Sequence, residues 1–184
     1  PEWGEVHAES PTPMRILIAL LALALSAAAA GAAETAEFLK KFKDWSAYRH
    51  EGENRKICFA ATQPRETLPK EMQPKSGGRG ESYFYLSFFP LDGVKNEVMI
   101  RLGYVVKSGA PVVASIGPAS FKLFTKDEKA FIENPEEERS FVEALKKGDI
   151  LVVKGTTAKG TATTDTYSLL GVSQAVKQAE DACP

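Results

Sequence analysis

Histidine, cysteine and tryptophan are scarce in this chain, whose 184 residues hold two of each. His7 stands near the start, which leaves His50 as the single imidazole beyond residue 33. A hydroxyl or thiol nucleophile needs a base beside it, and one histidine at an expected strand end makes no convincing triad. A His/Cys metal set is short of ligands for the same reason. His-Glu-x-x-His, a nucleophile elbow, a dinucleotide fingerprint and a phosphate-cradling glycine loop closed by Lys-Ser/Thr are all missing. Paired carboxylates of the glycosidase kind can lie far apart along a chain, so that possibility stays open. The balance predicts a protein that is not an enzyme and carries no cofactor and no metal.

An excess of charge of either sign is missing too. The whole chain has 23 basic and 24 acidic residues; without Arg15, Glu2, Glu5 and Glu9 of the first 33 positions, 22 and 21 remain. Nucleic-acid binders show a basic excess or stripe, so a nucleic-acid partner is not expected. Internal repeats are absent. With 43% hydrophobic residues the chain suits one ordinary domain with its own core.

Long apolar runs are limited to one place. Met14-Arg15 opens a short charged region, Ile16 to Leu25 is uninterruptedly apolar, and Ser26 to Ala33 is rich in small residues. That order is the pattern of a secretory signal peptide over residues 14–33, cleaved near Ala33. A membrane anchor is the competing reading, since 18 residues could marginally span a bilayer. The alanine and glycine of the second half suit signal peptidase better, so membrane contact is expected only through the transient signal peptide. Residues 1–13, which precede Met14, read as a non-native or mis-called leader. The remaining residues 34–184 form the expected single domain, periplasmic or secreted.

Export gives the two cysteines a meaning. In an oxidising compartment Cys58 and Cys183 read best as one disulfide, with two buried free thiols as the alternative.

Taken in order, Glu34 to Lys43 places Phe38, Leu39 and Phe42 at helical spacing and predicts a short helix. Asp44 to Arg49 and Lys56 to Thr62 alternate as strands about the turn Glu51 to Asn54, with Trp45 a core residue. Gln63 to Gly80, with three prolines and Gly77-Gly78-Arg79-Gly80, reads as a long loop, either a solvated linker or a partner-binding loop offering Arg65, Lys70, Lys75 and Arg79. Ser82 to Phe89 is a strand dense in aromatics, Glu97 to Val106 another, and Val112 to Ile116 pairs with Ser120 to Phe124 across Gly117-Pro118. Tyr83 and Tyr85 form a candidate aromatic surface, for which solvent exposure beside carboxylates would favour sugar binding. Asn134, Pro135 and the triple glutamate that follows begin an internal helix closed by Lys146-Lys147-Gly148. Ile150 to Thr157 and Thr161 to Leu170 make a hairpin about Ala158-Lys159-Gly160, and Ser173 to Ala182 a closing helix. Short strands separated by turn residues, with only short helices, predict a mainly β antiparallel β-sandwich.

The stretch Lys154 to Gly171, KGTTAKGTATTDTYSLLG, resembles the carboxy-terminal signature of the invasion-associated locus B family, exported proteins of alphaproteobacteria. The likeness continues through Asp44-Trp45, Ile57-Cys58 to Gln63-Pro64, Arg79-Gly80, Asn96-Glu97-Val98, Ser120 to Lys126 and Ala182-Cys183. Many members carry a further cysteine soon after the Asp-Trp, where this chain has Tyr48-Arg49-His50. The resemblance implies an envelope-associated virulence protein with a role in host-cell invasion, and it brings no catalytic chemistry. A protein or glycan partner in the envelope or on a host surface is therefore expected. The alternatives are a periplasmic envelope-integrity or chaperone-like factor, and a carbohydrate-binding module or hydrolase.

Overall fold

The computed structural model describes residues 35–74 and 78–184. The expected leader and signal peptide lie outside the described residues, as does Lys75.

Eleven strands form one antiparallel sheet: β1 (Glu37–Phe42), β2 (Trp45–Gly52), β3 (Arg55–Thr62), β4 (Glu66–Leu68), β5 (Tyr83–Phe89), β6 (Val94–Arg101), β7 (Val112–Ile116), β8 (Ala119–Lys126), β9 (Lys129–Phe131), β10 (Ile150–Thr156) and β11 (Ala162–Ser168). Two helices accompany them, α1 (Pro135–Lys147) and α2 (Val172–Ala182). The order across the sheet is β1-β2-β3-β5-β6-β9-β8-β7-β10-β11-β4. β8 serves both halves, since Ala119 to Leu123 pair with β7 while Phe124 to Lys126 pair with β9. The sheet folds over itself there and makes the predicted sandwich. Its halves meet where the Trp45 indole N–H donates to the Ser168 carbonyl at 2.9 Å and where Phe84 lies edge-on to Tyr167.

Alternation along each strand sets the faces. Trp45 and Ala47, Cys58 and Ala60, Phe84, Leu86 and Phe88, and Val98 and Ile100 point inward from the first half. Leu151 and Val153, Val112 and Ala114, and Tyr167 answer from the second. α1 adds Phe141, Val142 and Leu145, and Phe141 packs on both Phe84 and Phe121. α2 lays Ala175 and Ala179 toward β2 and β3, where small side chains let the helix come close. Its end is fixed by the Cys58–Cys183 disulfide, with Cα atoms 5.8 Å apart.

The expected helix at the start of the domain is strand β1 instead. The register slips between Phe38 and Lys40, and the extra residue puts Phe38 outward against Tyr48 while Leu39 and Phe42 pack on the core. A bulged strand thus imitates helical spacing. The Gln63 to Gly80 segment is likewise more than a loop: β4 pairs with β11, a turn of 3-10 helix follows at Lys70–Met72, and Met72 is buried. β6 stops at Arg101, five residues before the expected strand end, because Gly103 turns the chain at a φ of 72°. A side chain at Gly103 would strike the Gly80 carbonyl, and the two backbones are joined by a 2.8 Å hydrogen bond from Gly80 N–H.

The internal helix starts as its sequence dictates. Asn134 accepts from the N–H groups of Glu136 and Glu137. Glu138 does something else, accepting from Val98 N–H at 2.8 Å where β6 has not yet met β9. Burial lifts the Glu97 carboxyl above its ordinary range. Glu138 is raised by burial first and further by the charge of Glu97, against the opposing Val98 hydrogen bond. Between the ordinary and the raised pKa the folded chain holds more protons than the unfolded one, so the contribution of these groups to stability falls as pH rises through that window and is level above it. In Glu97→Gln one of the charges is gone. The melting temperature of this variant, relative to the parent, is expected to rise as pH is taken upward through the window, and a difference that does not change with pH would contradict the pairing.

Candidate functional site

Inward alternation on β2, β3 and β5 leaves the other side chains on the outer face. Cross-strand pairing aligns Phe38 with Tyr48 and Tyr48 with Phe59, and Tyr85 sits diagonally beyond. The rings touch in sequence: Phe38 to Tyr48 at 5.8 Å, Tyr48 stacked on Phe59 at 5.1 Å, Phe59 to Tyr85 at 5.8 Å and Tyr85 to Tyr83 at 5.6 Å between centroids. Five aromatics on four strands therefore make one continuous row. Beyond Tyr85 the pairing runs on through Met99, Phe131 and Phe124. Phe38 and Phe124 at the two ends are each more than half exposed, and the residues between are half-buried.

The row floors a cleft of about 470 Å³ beside β2, β3 and β5. A second cleft of about 480 Å³ adjoins it, and the two share Gln63, Arg65 and Tyr83. Polar side chains line the junction in pairs. Arg65 Nη2 donates to Asp44 Oδ2 at 2.6 Å, and Gln63 Nε2 donates to Glu81 Oε2 at 2.6 Å. A hydrogen bond from the Ser168 hydroxyl and then the Arg65 guanidinium hold the Asp44 carboxyl below its usual range, so it remains an ionised acceptor near neutrality. Burial pushes the Tyr85 hydroxyl upward, which keeps it a neutral donor.

No family model, curated protein or solved structure matches this chain.

Tyr83 and Tyr85, expected as an aromatic surface, both lie on the outer face. Phe38, Tyr48 and Phe59, which are not among the expected site residues, continue it, and the signal for two of them is the period-two alternation in β2 and β3 that puts Tyr48 and Phe59 opposite the buried Ala47, Cys58 and Ala60. Of the four basic residues expected on one loop, the three that are described, Arg65, Lys70 and Arg79, do not share one surface. Arg65 is exposed at the cleft and Lys70 is exposed on the 3-10 turn. Arg79 corrects the expectation, because its side chain is fully buried. Its guanidinium donates from Nη1 and Nη2 to the two carboxylate oxygens of Asp165, at 2.8 and 2.7 Å, and Nη2 also reaches the Thr67 hydroxyl at 3.0 Å. Thr67 in turn donates to Asp165. The Tyr104 ring lies 5.8 Å from the guanidinium carbon, and its hydroxyl is hydrogen-bonded to Thr163. Burial pushes the Tyr104 and Tyr167 hydroxyls upward, and Tyr167 shares a 3.0 Å hydrogen bond with Ser82. This cluster is an internal brace between β4, β11 and the end of the Gln63 to Gly80 segment. Loop chemistry suggested a surface cation, whereas a bidentate carboxylate inside the sandwich draws the guanidinium in.

Among the described residues no helix is long and apolar enough to cross a membrane, and none of their His, Cys, Asp and Glu side chains gather as a metal-binding group.

Proposed function

We propose that this chain is an exported, non-catalytic binding protein of the invasion-associated locus B type, acting in the bacterial envelope or at a host surface in support of host-cell invasion, and that it engages its partner through the outer face of β1, β2, β3 and β5. The observation that supports this reading is the aromatic row with its polar cleft. Contiguous apolar surface rimmed by polar groups is what interaction sites and ligand grooves present, and aromatic side chains concentrate the binding energy of such surfaces. The disulfide agrees with residence in the periplasm or beyond it. The resemblance of the Lys154 to Gly171 stretch supplies the link to invasion.

The test is affinity capture with the oxidised protein, offered separately to envelope extract and to host-cell membranes, beside a Tyr48→Ala/Tyr85→Ala variant. Saturable capture that the variant loses is the expected result. A host-membrane partner would make the invasion role direct, and a partner confined to the envelope would make it a consequence of envelope integrity. Capture that is indifferent to the two substitutions would remove this face from the function.

A further inference from the structure

We propose that the paired clefts over β2, β3 and β5 bind a neutral glycan chain, with the rings of Tyr48, Phe59, Tyr83 and Tyr85 as the platform and Gln63 and Arg65 among its hydrogen-bonding partners. The inference rests on the reading that this face is the binding surface, and it names the class of ligand.

Four observations favour a sugar over other occupants. Aromatic rings offer flat apolar area that suits the C–H faces of pyranose rings, and here the rings are contiguous at 5.1 to 5.8 Å, so the platform is extended rather than a single pocket. The rim supplies both kinds of hydrogen-bonding group that sugar hydroxyls need. Asp44 and Glu81 accept, the Arg65 guanidinium donates, and the Gln63 amide does both. These groups are paired with one another, and each pair retains further donors or acceptors to offer.

The charges come within one of balance, which is the third observation. Asp44, Glu66 and Glu81 stand against Arg65 and Lys41 at the same clefts, a mixture of signs with no basic excess to draw a polyanion and only one surplus carboxylate to draw a polycation. Fourth, the floor strands are paired on both sides, β2 by β1 and β3, β3 by β2 and β5, and β5 by β3 and β6. The sheet's free edge on this side is β1, to one side of the four platform rings, so an extended peptide cannot add to the sheet beneath Tyr48, Phe59, Tyr83 and Tyr85. The two adjoining clefts, joined at Gln63, Arg65 and Tyr83, form one continuous track of about 480 and 470 Å³.

The experiment is calorimetric titration of the oxidised protein with cellohexaose, chitohexaose and maltohexaose, with a heparin oligosaccharide as a charged comparison. Binding of at least one neutral hexasaccharide is expected, with little dependence on salt. Tyr85→Ala and Tyr48→Ala should each weaken it by about tenfold or more, and Tyr85→Trp, which keeps a ring in place, should preserve it. Thermal unfolding of each variant separates a lost platform from a lost fold. Failure of all three neutral probes, preference for heparin, or binding unchanged in the alanine variants would overturn the proposal. If the neutral probes fail while protein capture is still lost in Tyr48→Ala/Tyr85→Ala, the face is a protein site and the glycan inference alone falls. If capture is also unaffected, the binding reading falls with it.

Discussion

Asp165→Ala should destabilise this protein by about 3–5 kcal/mol, the largest effect expected of any single side chain in the cluster around Arg79. The two side chains are 0% and 1% accessible, and Asp165 takes both ends of the guanidinium. Without the carboxylate a full positive charge is left in the interior with only the Thr67 hydroxyl and the face of Tyr104 for company. Arg79 Nε already has no hydrogen-bond partner, so the group has no reserve of contacts to fall back on. Against a typical stability of about 5–15 kcal/mol for a whole domain, such a loss puts the variant close to unfolding at physiological temperature. Removing both charges is a different case. Arg79→Met/Asp165→Leu no longer has to desolvate two ions and should recover most of the loss, which a double-mutant cycle in urea would read as a strongly favourable coupling. If Asp165→Ala moves the urea midpoint by less than the equivalent of about 1 kcal/mol, the guanidinium must reach water, and the brace is weaker than its geometry implies.

That brace also marks the limit of what the sequence discloses. The hairpin of β10 and β11, the Asn134-capped helix and the closing helix are all legible to within a residue or two, because their causes are local: a β-branched run, a glycine turn, a cap and a charged first turn. β4 and β9 are three residues each, too short to carry a period, and β4 exists only because β11 lies beside it almost a hundred positions later. Arg79 sits among glycines and reads as a surface residue, while the partner that turns it inward is 86 positions away. Thr163, Asp165 and Tyr167 alternate along β11 and so share a face. That this face is the interior, with three polar side chains satisfied there by Tyr104, Arg79 and Ser82, follows from long-range pairing alone. The resemblance carried by this stretch therefore rests in good part on residues with internal work. Gly155 belongs with them, since a side chain there would crowd the Tyr104 hydroxyl.

The aromatic row has the same history. Tyr83 and Tyr85 alternate with Phe84, Leu86 and Phe88, and an alternation of apolar with apolar does not say which face is wet. α2 and the second half of the sandwich decide it by covering Phe84 and its neighbours. What remains uncovered is defined by packing, and only then do Phe38, Tyr48 and Phe59 from three other strands join it.

Removing the disulfide is expected to lower stability by about 2–5 kcal/mol, and its structural effect should be local before it is global. The bond closes a separation of 125 residues, for which the chain-entropy account gives about 4–5 kcal/mol of restraint on the unfolded chain. α2 depends on it more than any strand does. The helix begins at Gly171, in the left-handed region and without a side-chain cap, and ends directly before Cys183, so its fixed points are the apolar stripe Val172, Ala175, Val176 and Ala179 and the covalent tie. That stripe is mostly small and holds the helix less firmly than leucines would. In Cys58→Ala/Cys183→Ala, or in the parent under reductant, hydrogen exchange should quicken first along α2 while β5, β6 and the β10/β11 hairpin keep their protection. The urea midpoint should fall in step, and thiol titration of the native protein should find no free cysteine. Uniform loss of protection would instead make α2 part of one cooperative unit with the sheet. An unchanged midpoint would mean that the apolar stripe alone secures the helix over β2 and β3.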